Sequence, residues 1–429
     1  MRNQSTTGLK QRGIALMAVV TALAILGAVV AESTTDTVVD ATAAANARDE
    51  MHSEFLTRSG ANLTQVIIRL QTDLVDKYRK ELGDFQLADY AGMFMGAFGG
   101  GAEEVDAMAQ MLGGFRGDAI KGLGVSVGRF DVAISTDDGK ININCASERL
   151  EETQRKTLKA QLEALFYFEA FDPIFENPDS EGWRRDRATQ AAALIDYVDP
   201  GKDQFGVPGA QEDYGYETLE DRYAPKNNYL DTVGELKQVR GIDDRMWALF
   251  GDQFTVYGDC KVNIGAVADP KLIAAILFLA AKNPDDPVVK DPQKLWALAS
   301  FIIEARGLGL IFDDLAAFAD LVKDPMGGLG SAFSETASAT GGSSTLPSSV
   351  SGLQIEGLEL DTQKLGQVAR SGPRRTYRVE VVATVPRGEE GNGMEYIRRL
   401  TAVWDTKTQN QNMRDQNYAK GAWVYWRED

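Results

Sequence analysis

Histidine is nearly absent from this chain: His52 is the only one in 429 residues, and cysteine occurs twice, at Cys145 and Cys260. Chemistry that needs an imidazole base or a His-rich metal site therefore has almost nothing to work with. No P-loop and no Cys-x-x-Cys occurs. Paired carboxylates say little in a chain with 63 acidic residues, and the sequence reads as non-catalytic. Positive charge is also short. Lys and Arg number 45, which leaves a net charge of −18, and a surface this acidic repels nucleic acid and anionic headgroups. Apolar residues are not short: at 44% over this length they predict two or three globular cores rather than a disordered tail.

The most apolar stretch stands at the start. A polar, basic leader ends in Lys10-Gln11-Arg12-Gly13, and an apolar run follows from Ile14 to Ala31. At 1.5 Å per residue a helix over that run spans roughly 27 Å, close to a bilayer core. A secretory signal peptide carries its small-residue cleavage site after the apolar run, whereas Gly13 precedes it. Cutting there keeps the anchor and removes Arg2, Lys10 and Arg12, which leaves a side-chain charge of −21. A plain signal anchor with a basic cytoplasmic end fits the same residues. On either reading residues 32–429 leave the cytoplasm.

The leader resembles the class III leader of type IV pilins and type II secretion pseudopilins. In those proteins a prepilin peptidase cuts after the Gly and methylates the new N-terminus, so the resemblance implies Gly13 and Ile14 as the processing site. Most members carry Glu at the fifth mature position. Here that position is Ala18, a departure typical of the K-type minor pseudopilin. A Glu in the bilayer is costly unless it pairs with the N-terminal amine of the preceding subunit, and a subunit at a filament tip has none ahead of it.

The rest divides by composition. Residues 32–91 are expected to continue the helix as an amphipathic stalk, with Leu63, Val66, Ile67, Leu70, Leu74 and Val75 at helical spacing. His52, in that stalk, reads as exposed and inert. Residues 92–125 form a Gly- and Met-rich insertion around Gly99-Gly100-Gly101 with Met93, Met95, Met108 and Met111. Two strand-like runs, Ser126 to Ser135 and Ile141 to Asn144, flank Thr136-Asp137-Asp138-Gly139-Lys140, whose Asp-Gly predicts a hairpin within pilin-like strands 126–145. Residues 146–325 read as a helical domain, with Leu158, Leu162, Leu165 and Phe166 on one face and a joint near 260–268. A Gly/Ser linker over 326–352 then leads to strands in 353–429, at Arg375 to Val385, Ile397 to Asp405 and Gly421 to Arg427. The fold class is α+β: a pilin-like helix and small antiparallel sheet with a large helical insertion.

Three local patterns carry information. Gly139-Lys140-Ile141-Asn142-Ile143-Asn144-Cys145-Ala146 recurs as Cys260-Lys261-Val262-Asn263-Ile264-Gly265-Ala266, each an extended piece leading into a helix; chance similarity is the plain alternative. Tyr229 to Asp243 has the shape of a helix-hairpin-helix element, with Asp231 or Thr232 as cap and Gly241 at the turn. Such turns bind DNA phosphates through backbone N–H groups, but Asp243 and Asp244 stand where a phosphate would approach, so the hairpin reads as structural. The two cysteines are compatible with one disulfide outside the cytoplasm, though two buried thiols are the plainer reading because sequence does not place their Cα atoms within bonding range.

Together with Leu194-Ile195-Asp196-Tyr197-Val198-Asp199 and Phe254-Thr255-Val256-Tyr257-Gly258, these patterns make the chain similar, over most of its length, to the K-type minor pseudopilins of the type II secretion system. The resemblance implies a non-catalytic subunit capping the pseudopilus. Its implied partners are the I-type and J-type minor pseudopilins, the prepilin peptidase and the inner-membrane secretion platform, with its bulk in the periplasm. It also implies Ca²⁺ in the helical domain, carried here to Asp199, Asp203 and Asp213 on an acidic, Gly-turned loop that also holds Glu212 and Glu217. The spacing is not that of an EF-hand, and a solvated acidic loop is the plain alternative. Two rival functions are a nucleic-acid-binding pseudopilin of a DNA-uptake system, which the charge opposes, and a signal-anchored periplasmic protein of another role.

Overall fold

The computed structural model describes residues 7–78, 86–91, 127–147, 152–178, 182, 186–207, 209–212, 215–216, 222–307, 312, 314–330, 355–387, 394–409 and 420–429. The insertion at 92–125 and most of the Gly/Ser stretch lie outside these residues, and so do the roles considered for them. Two compact units are present: Met1–Ala61 with Phe94–Asp131 and Val381–Arg399, and Asn62–Met93 with Val132–Glu380 and Leu400–Asp429.

Helix α1 (Thr7–Leu70) carries the apolar run, with a window of mean hydropathy 2.7 that is long and apolar enough to cross a membrane. Its threonines do not interrupt it. Thr21 Oγ1 donates back to Met17 O at 2.7 Å, and Thr34, Thr35, Thr37 and Thr42 do the same one turn back, so each hydroxyl is satisfied within the helix. The expected stalk to residue 91 is shorter as an α-helix. It ends at Leu70, passing into a π turn at Gln71–Val75 and a 3₁₀ turn at Asp76–Tyr78. The buried Gln71 side chain draws the chain back there, donating to Asp76 Oδ1 at 2.8 Å while its Oε1 accepts from Leu87 N at 2.8 Å.

Strand β1 (Arg129–Thr136) does not form the expected hairpin. It stands at the edge of a four-stranded sheet, and the following β2 (Ile141–Asn142) pairs in parallel with β3 (Phe254–Thr255). The turn between them is buried rather than exposed. Asp137 holds Arg378 at 2.6 Å and Lys140 at 3.1 Å and accepts from the Thr255 hydroxyl. Asp138 holds Arg370 at 2.6 Å and accepts from the backbone N–H groups of Arg375 and Thr376. Burial alone would raise the Asp137 pKa, but Arg378 and Lys140 outweigh it and hold the carboxyl below its ordinary value.

The helical region is a tandem pair of similar pieces. The first runs from β2 through α2 (Glu152–Phe166), α3 (Asp172–Glu176), α4 (Arg187–Asp196), a 3₁₀ turn Val233–Gln238 and α5 (Asp244–Phe250) to β3. The second runs from β4 (Val262–Asn263) through α6 (Pro270–Ala280), α7 (Pro287–Lys290), α8 (Pro292–Gly307), α9 (Leu315–Lys323) and α10 (Thr362–Val368) to β5 (Ala369–Arg370). β4 and β5 are again parallel. The sequence echo marks the two joints. Asn142 Nδ2 donates to Gly258 O at 2.9 Å and its Oδ1 accepts from Asn144 N; Asn263 Nδ2 donates to Gly372 O at 3.0 Å and its Oδ1 accepts from Gly265 N. Gly258 and Gly372 have φ of +86° and +108°, where a Cβ would be strained.

Cys145 and Cys260, one beside each joint, are bonded, with Cα atoms 5.6 Å apart, so the pair of buried thiols is set aside. The domain boundary expected at residue 352 also moves. Leu358, Leu360, Leu365 and Val368 sit in the helical core, and β5 completes the second piece, so the helical region ends near Gly372; residues 327–330, expected as linker, are helical. α6 lies at the centre of this core, with Leu272 through Leu277 all buried, and α2 buries Leu158, Leu162, Leu165 and Phe166 against its neighbours. Phe250 meets Phe166 and Phe171 edge-on at 5.0 and 4.8 Å, a packing whose truncation to Ala costs about 3–5 kcal/mol.

The sheet is completed by β6 (Thr376–Arg387), β7 (Met394–Gln409) and β8 (Lys420–Glu428) in the order β1-β6-β7-β8, with β7 and β8 antiparallel. A bulge opposite Val403/Trp404 brings Trp423 and Trp426 alongside Trp404, with ring centroids 5.0 and 5.3 Å apart in series.

Candidate functional site

The acidic loop follows α4. Asp196, the last residue of that helix, is buried, and its Oδ1 accepts from Phe205 N at 2.7 Å. Asp199 is also buried; Oδ1 accepts from Gly201 N at 2.6 Å, and Oδ2 is paired with Arg155 of α2. Glu212 returns to the same place through a short antiparallel bridge between Asp203 and Gln211. It is 7% exposed, and among the described residues neither of its carboxylate oxygens has a hydrogen bond of ordinary geometry, the Asn227 side chain being the polar group that approaches it. Asn227, with a left-handed φ of 50°, donates to Gly201 O at 3.0 Å and leaves its own Oδ1 buried without a partner.

The Asp199 and Glu212 carboxylates converge on Gly201. A Cβ built there would lie 2.6 Å from Asp199 Oδ1 and 2.9 Å from Glu212 Oε1, so a side chain would fill the gap. The electrostatics fit a site short of positive charge. Burial pushes Asp196 up to about 7, with Asp199 adding to it and the Phe205 N–H opposing. Burial, then the charges of Asp199 and Asp196, push Glu212 up to about 7 as well. Of the residues carried over for a metal, Asp199 lies at this gap. Asp203 is exposed and acts on Glu212 only through its charge. Asp213 and Glu217 lie outside the described residues. Among the described residues no three His, Cys, Asp or Glu side chains already form a metal-binding group. Asn227 was missed in the sequence; its signal was only the Asn227-Asn228 pair after Pro225, of a kind that favours turns.

The hairpin lies beside this loop in sequence. Its first arm is the 3₁₀ turn, not an α-helix, and Thr232 with Glu235 forms a capping box. Gly241 has a φ of +87°. Asp243 caps α5 by accepting from Met246 N at 2.9 Å and pairs with Arg245 at 2.7 Å, so a carboxylate occupies the helix N-terminus where a phosphate would bind. The processing residues are exposed on α1: Gly13 has open space where a Cβ would stand, and Ile14 is 69% exposed.

One catalytic spacing escaped the sequence reading. Gly124-Val125-Ser126-Val127-Gly128 has the Gly-x-Ser-x-Gly form. Ser126 lies outside the described residues, but Gly128 leads into β1, whereas a nucleophile elbow follows a strand and opens a helix. A Cβ on Gly128 would strike Thr384 O at 2.7 Å and Leu56 Cδ1 at 2.8 Å, which gives that glycine a packing role.

Residues 139–257 match the model of the family described as type II secretion system (T2SS), protein K. That stretch, just over a quarter of the chain, is similar to the protein K family. The match begins at the glycine before β2 and ends just past β3, so the matched stretch coincides with the first of the two tandem pieces and contains the acidic loop, the hairpin and Cys145. Among solved structures, the GspK-GspI-GspJ complex from the enterotoxigenic Escherichia coli type 2 secretion system has a similar chain, with 12% identity over 72% of this chain and 82% of that one and a TM-score of 0.40. Comparison with curated proteins gives no match.

Proposed function

We propose that the chain is a non-catalytic minor pseudopilin of the K type, anchored in the bacterial inner membrane with its bulk in the periplasm. The observation that carries this is the protein K match at 139–257 in a chain whose first helix is long and apolar enough to span a bilayer. Processing after Gly13 leaves Ile14 at the head of the anchor. I-type and J-type pseudopilins are its partners, and the secretion platform receives it in the membrane. The subunit caps the pseudopilus through the bulk of its tandem helical pieces, which crowd the place of any further subunit. Ala18, without a carboxylate, removes the charge pair such a subunit would use.

Calcium belongs to the same proposal. The unpartnered oxygens of Glu212 and Asn227 beside Asp199 suit a hard cation that takes six to eight oxygen ligands. Asp196, Asp199, Glu212 and Asn227 would hold it, with Asp203 and Asp213 nearby in sequence. Bound there, the cation supplies the positive charge the loop lacks and ties the chain near residue 200 to residues 212 and 227.

The experiment is the intact mass and N-terminal sequence of the membrane-extracted protein made with and without prepilin peptidase. A chain beginning at Ile14 only when the peptidase is present is expected. A start at Met1 under both conditions, or cleavage beyond Ala31, would overturn the processing step and with it the pseudopilin reading.

A further inference from the structure

A cleft of about 620 Å³ opens between the two tandem pieces, well apart in sequence from the acidic loop. The first piece contributes Lys140, Asp252 and Gln253, and the second contributes Asp269, Lys271 and Trp296. Its polar groups are unequally committed. Lys140 is paired with Asp137 at 3.1 Å, and Lys271 is paired with Asp269 at 3.1 Å while donating to Leu249 O at 2.7 Å. Asp269 also accepts from Gln253 Nε2 at 2.7 Å and caps α6 through Lys271 N. Two groups remain. Asp252 is exposed and has no ion-pair or hydrogen-bond partner among the described residues, and Trp296 leaves 44% of its surface open.

We infer that this cleft binds a basic side chain, Arg or Lys, of a partner protein's peptide segment, with the cation over the Trp296 indole and paired with Asp252. Charge decides the class of occupant. Lys271 is paired with Asp269 and Lys140 shares Asp137 with Arg378, so the one carboxylate of the cleft lining without a cation is Asp252, in a chain of net charge −18. An anionic ligand would have to draw Lys140 or Lys271 away from the carboxylate that each already holds. An indole face is the strongest aromatic acceptor for a cation, and Arg adds planar stacking and a bidentate fork for the carboxylate. The chain already shows this pairing elsewhere: Lys237 Nζ stands 5.0 Å from the Trp247 ring centroid. Trp296 has the same acceptor face and, among the described residues, no such cation.

The test is isothermal titration calorimetry on the full chain in detergent, with Gly-Ser-Arg-Gly-Ser-Arg-Gly as probe, its twin with Gln in place of Arg, and the N-acetylglucosamine trimer as a neutral planar-faced competitor. Saturable binding of the Arg peptide and not of the Gln twin is expected. Asp252→Asn should weaken it about two- to fivefold at unchanged thermal midpoint, and Trp296→Ala should weaken it by a similar factor while lowering the midpoint through lost packing. Arg-peptide binding that both variants leave intact would show attraction to the acidic surface at large and overturn the proposal. Absence of Arg-peptide binding would also overturn it. Trimer binding that needs Trp296 without Arg-peptide binding would make the cleft a glycan site instead. Because neither residue belongs to the acidic loop or the leader, failure here leaves the pseudopilin reading standing.

Discussion

Two sets of buried carboxylates lie within the same compact unit, and they are finished differently. Asp137 and Asp138 receive Arg378, Arg370, Lys140, a Thr hydroxyl and two backbone N–H groups. Among the described residues Asp196, Asp199 and Glu212 share one guanidinium, from Arg155, and two backbone N–H groups, with Glu212 approached only by the Asn227 side chain. In the first set the Asp137 carboxyl is held below its ordinary pKa; in the second, Asp196 and Glu212 rise to about 7. A buried acid with its donors present ties distant parts of the fold together. One without them keeps its proton to higher pH, unless positive charge is supplied from outside.

The largest effect should come from breaking the satisfied set. Arg378→Met leaves Asp137 buried with Lys140 as its only cation, and removing one partner of a buried pair costs about 3–5 kcal/mol. The urea midpoint of the full chain, followed by circular dichroism, should fall accordingly. A change of less than about 1 kcal/mol would mean that the pair is screened as a surface bridge is.

Calcium should then complete the unsatisfied set. At free Ca²⁺ one hundred times its dissociation constant, binding to the native state alone adds about 2.7 kcal/mol. The thermal midpoint should rise on Ca²⁺ addition and fall with a chelator, and Glu212→Gln should abolish most of the difference. An unchanged midpoint at millimolar Ca²⁺ would return the loop to a solvated acidic turn.

The contrast also fixes the sign of the pH dependence. In chelator, native Asp196 and Glu212 hold protons up to about pH 7 that the unfolded chain releases near pH 4. The native state binds more protons in that window, so stability falls as pH rises from about 4 to 7 and levels off above it. Asp137 acts oppositely: its contribution is full above about pH 4 and is lost as pH falls through its lowered native value. The chelated protein should therefore be most stable near pH 4–5, and Ca²⁺ should move that optimum toward neutrality. An optimum already at pH 7 in chelator would contradict the raised carboxylates.

Sequence and structure agree where the information is local. The apolar run, the period of Leu158, Leu162 and Leu165, the strands over 376–387 and 394–409, and the Asn-bearing echo all depend on neighbours a few residues away. They part where the deciding partner is remote. Asp137-Asp138-Gly139 reads as a hairpin turn, yet Arg378 and Arg370 arrive from over 230 residues away and bury it. The acidic loop was legible as acidic, but its gap depends on Asn227 and on which carboxylates lack donors. The parallel pairs β2/β3 and β4/β5 close over more than 100 residues, and no periodicity announces them.

The finest test separates the gap from the loop that surrounds it. Gly201 has no left-handed φ that would strain an Ala, so Gly201→Ala acts mainly through its Cβ, placed 2.6 Å from Asp199 Oδ1 and 2.9 Å from Glu212 Oε1. Both oxygens end flexible side chains and can withdraw by a few tenths of an ångström, so the chelated protein should lose less than about 1 kcal/mol, within the range of mild substitutions. Withdrawal spreads the ligands, however, and a cation needing both oxygens should bind about tenfold more weakly, equivalent to about 1.4 kcal/mol. Calcium titration by calorimetry, beside melting in chelator, reads the two quantities separately. Equal losses in both would place the effect in the loop's packing and not in a cation site.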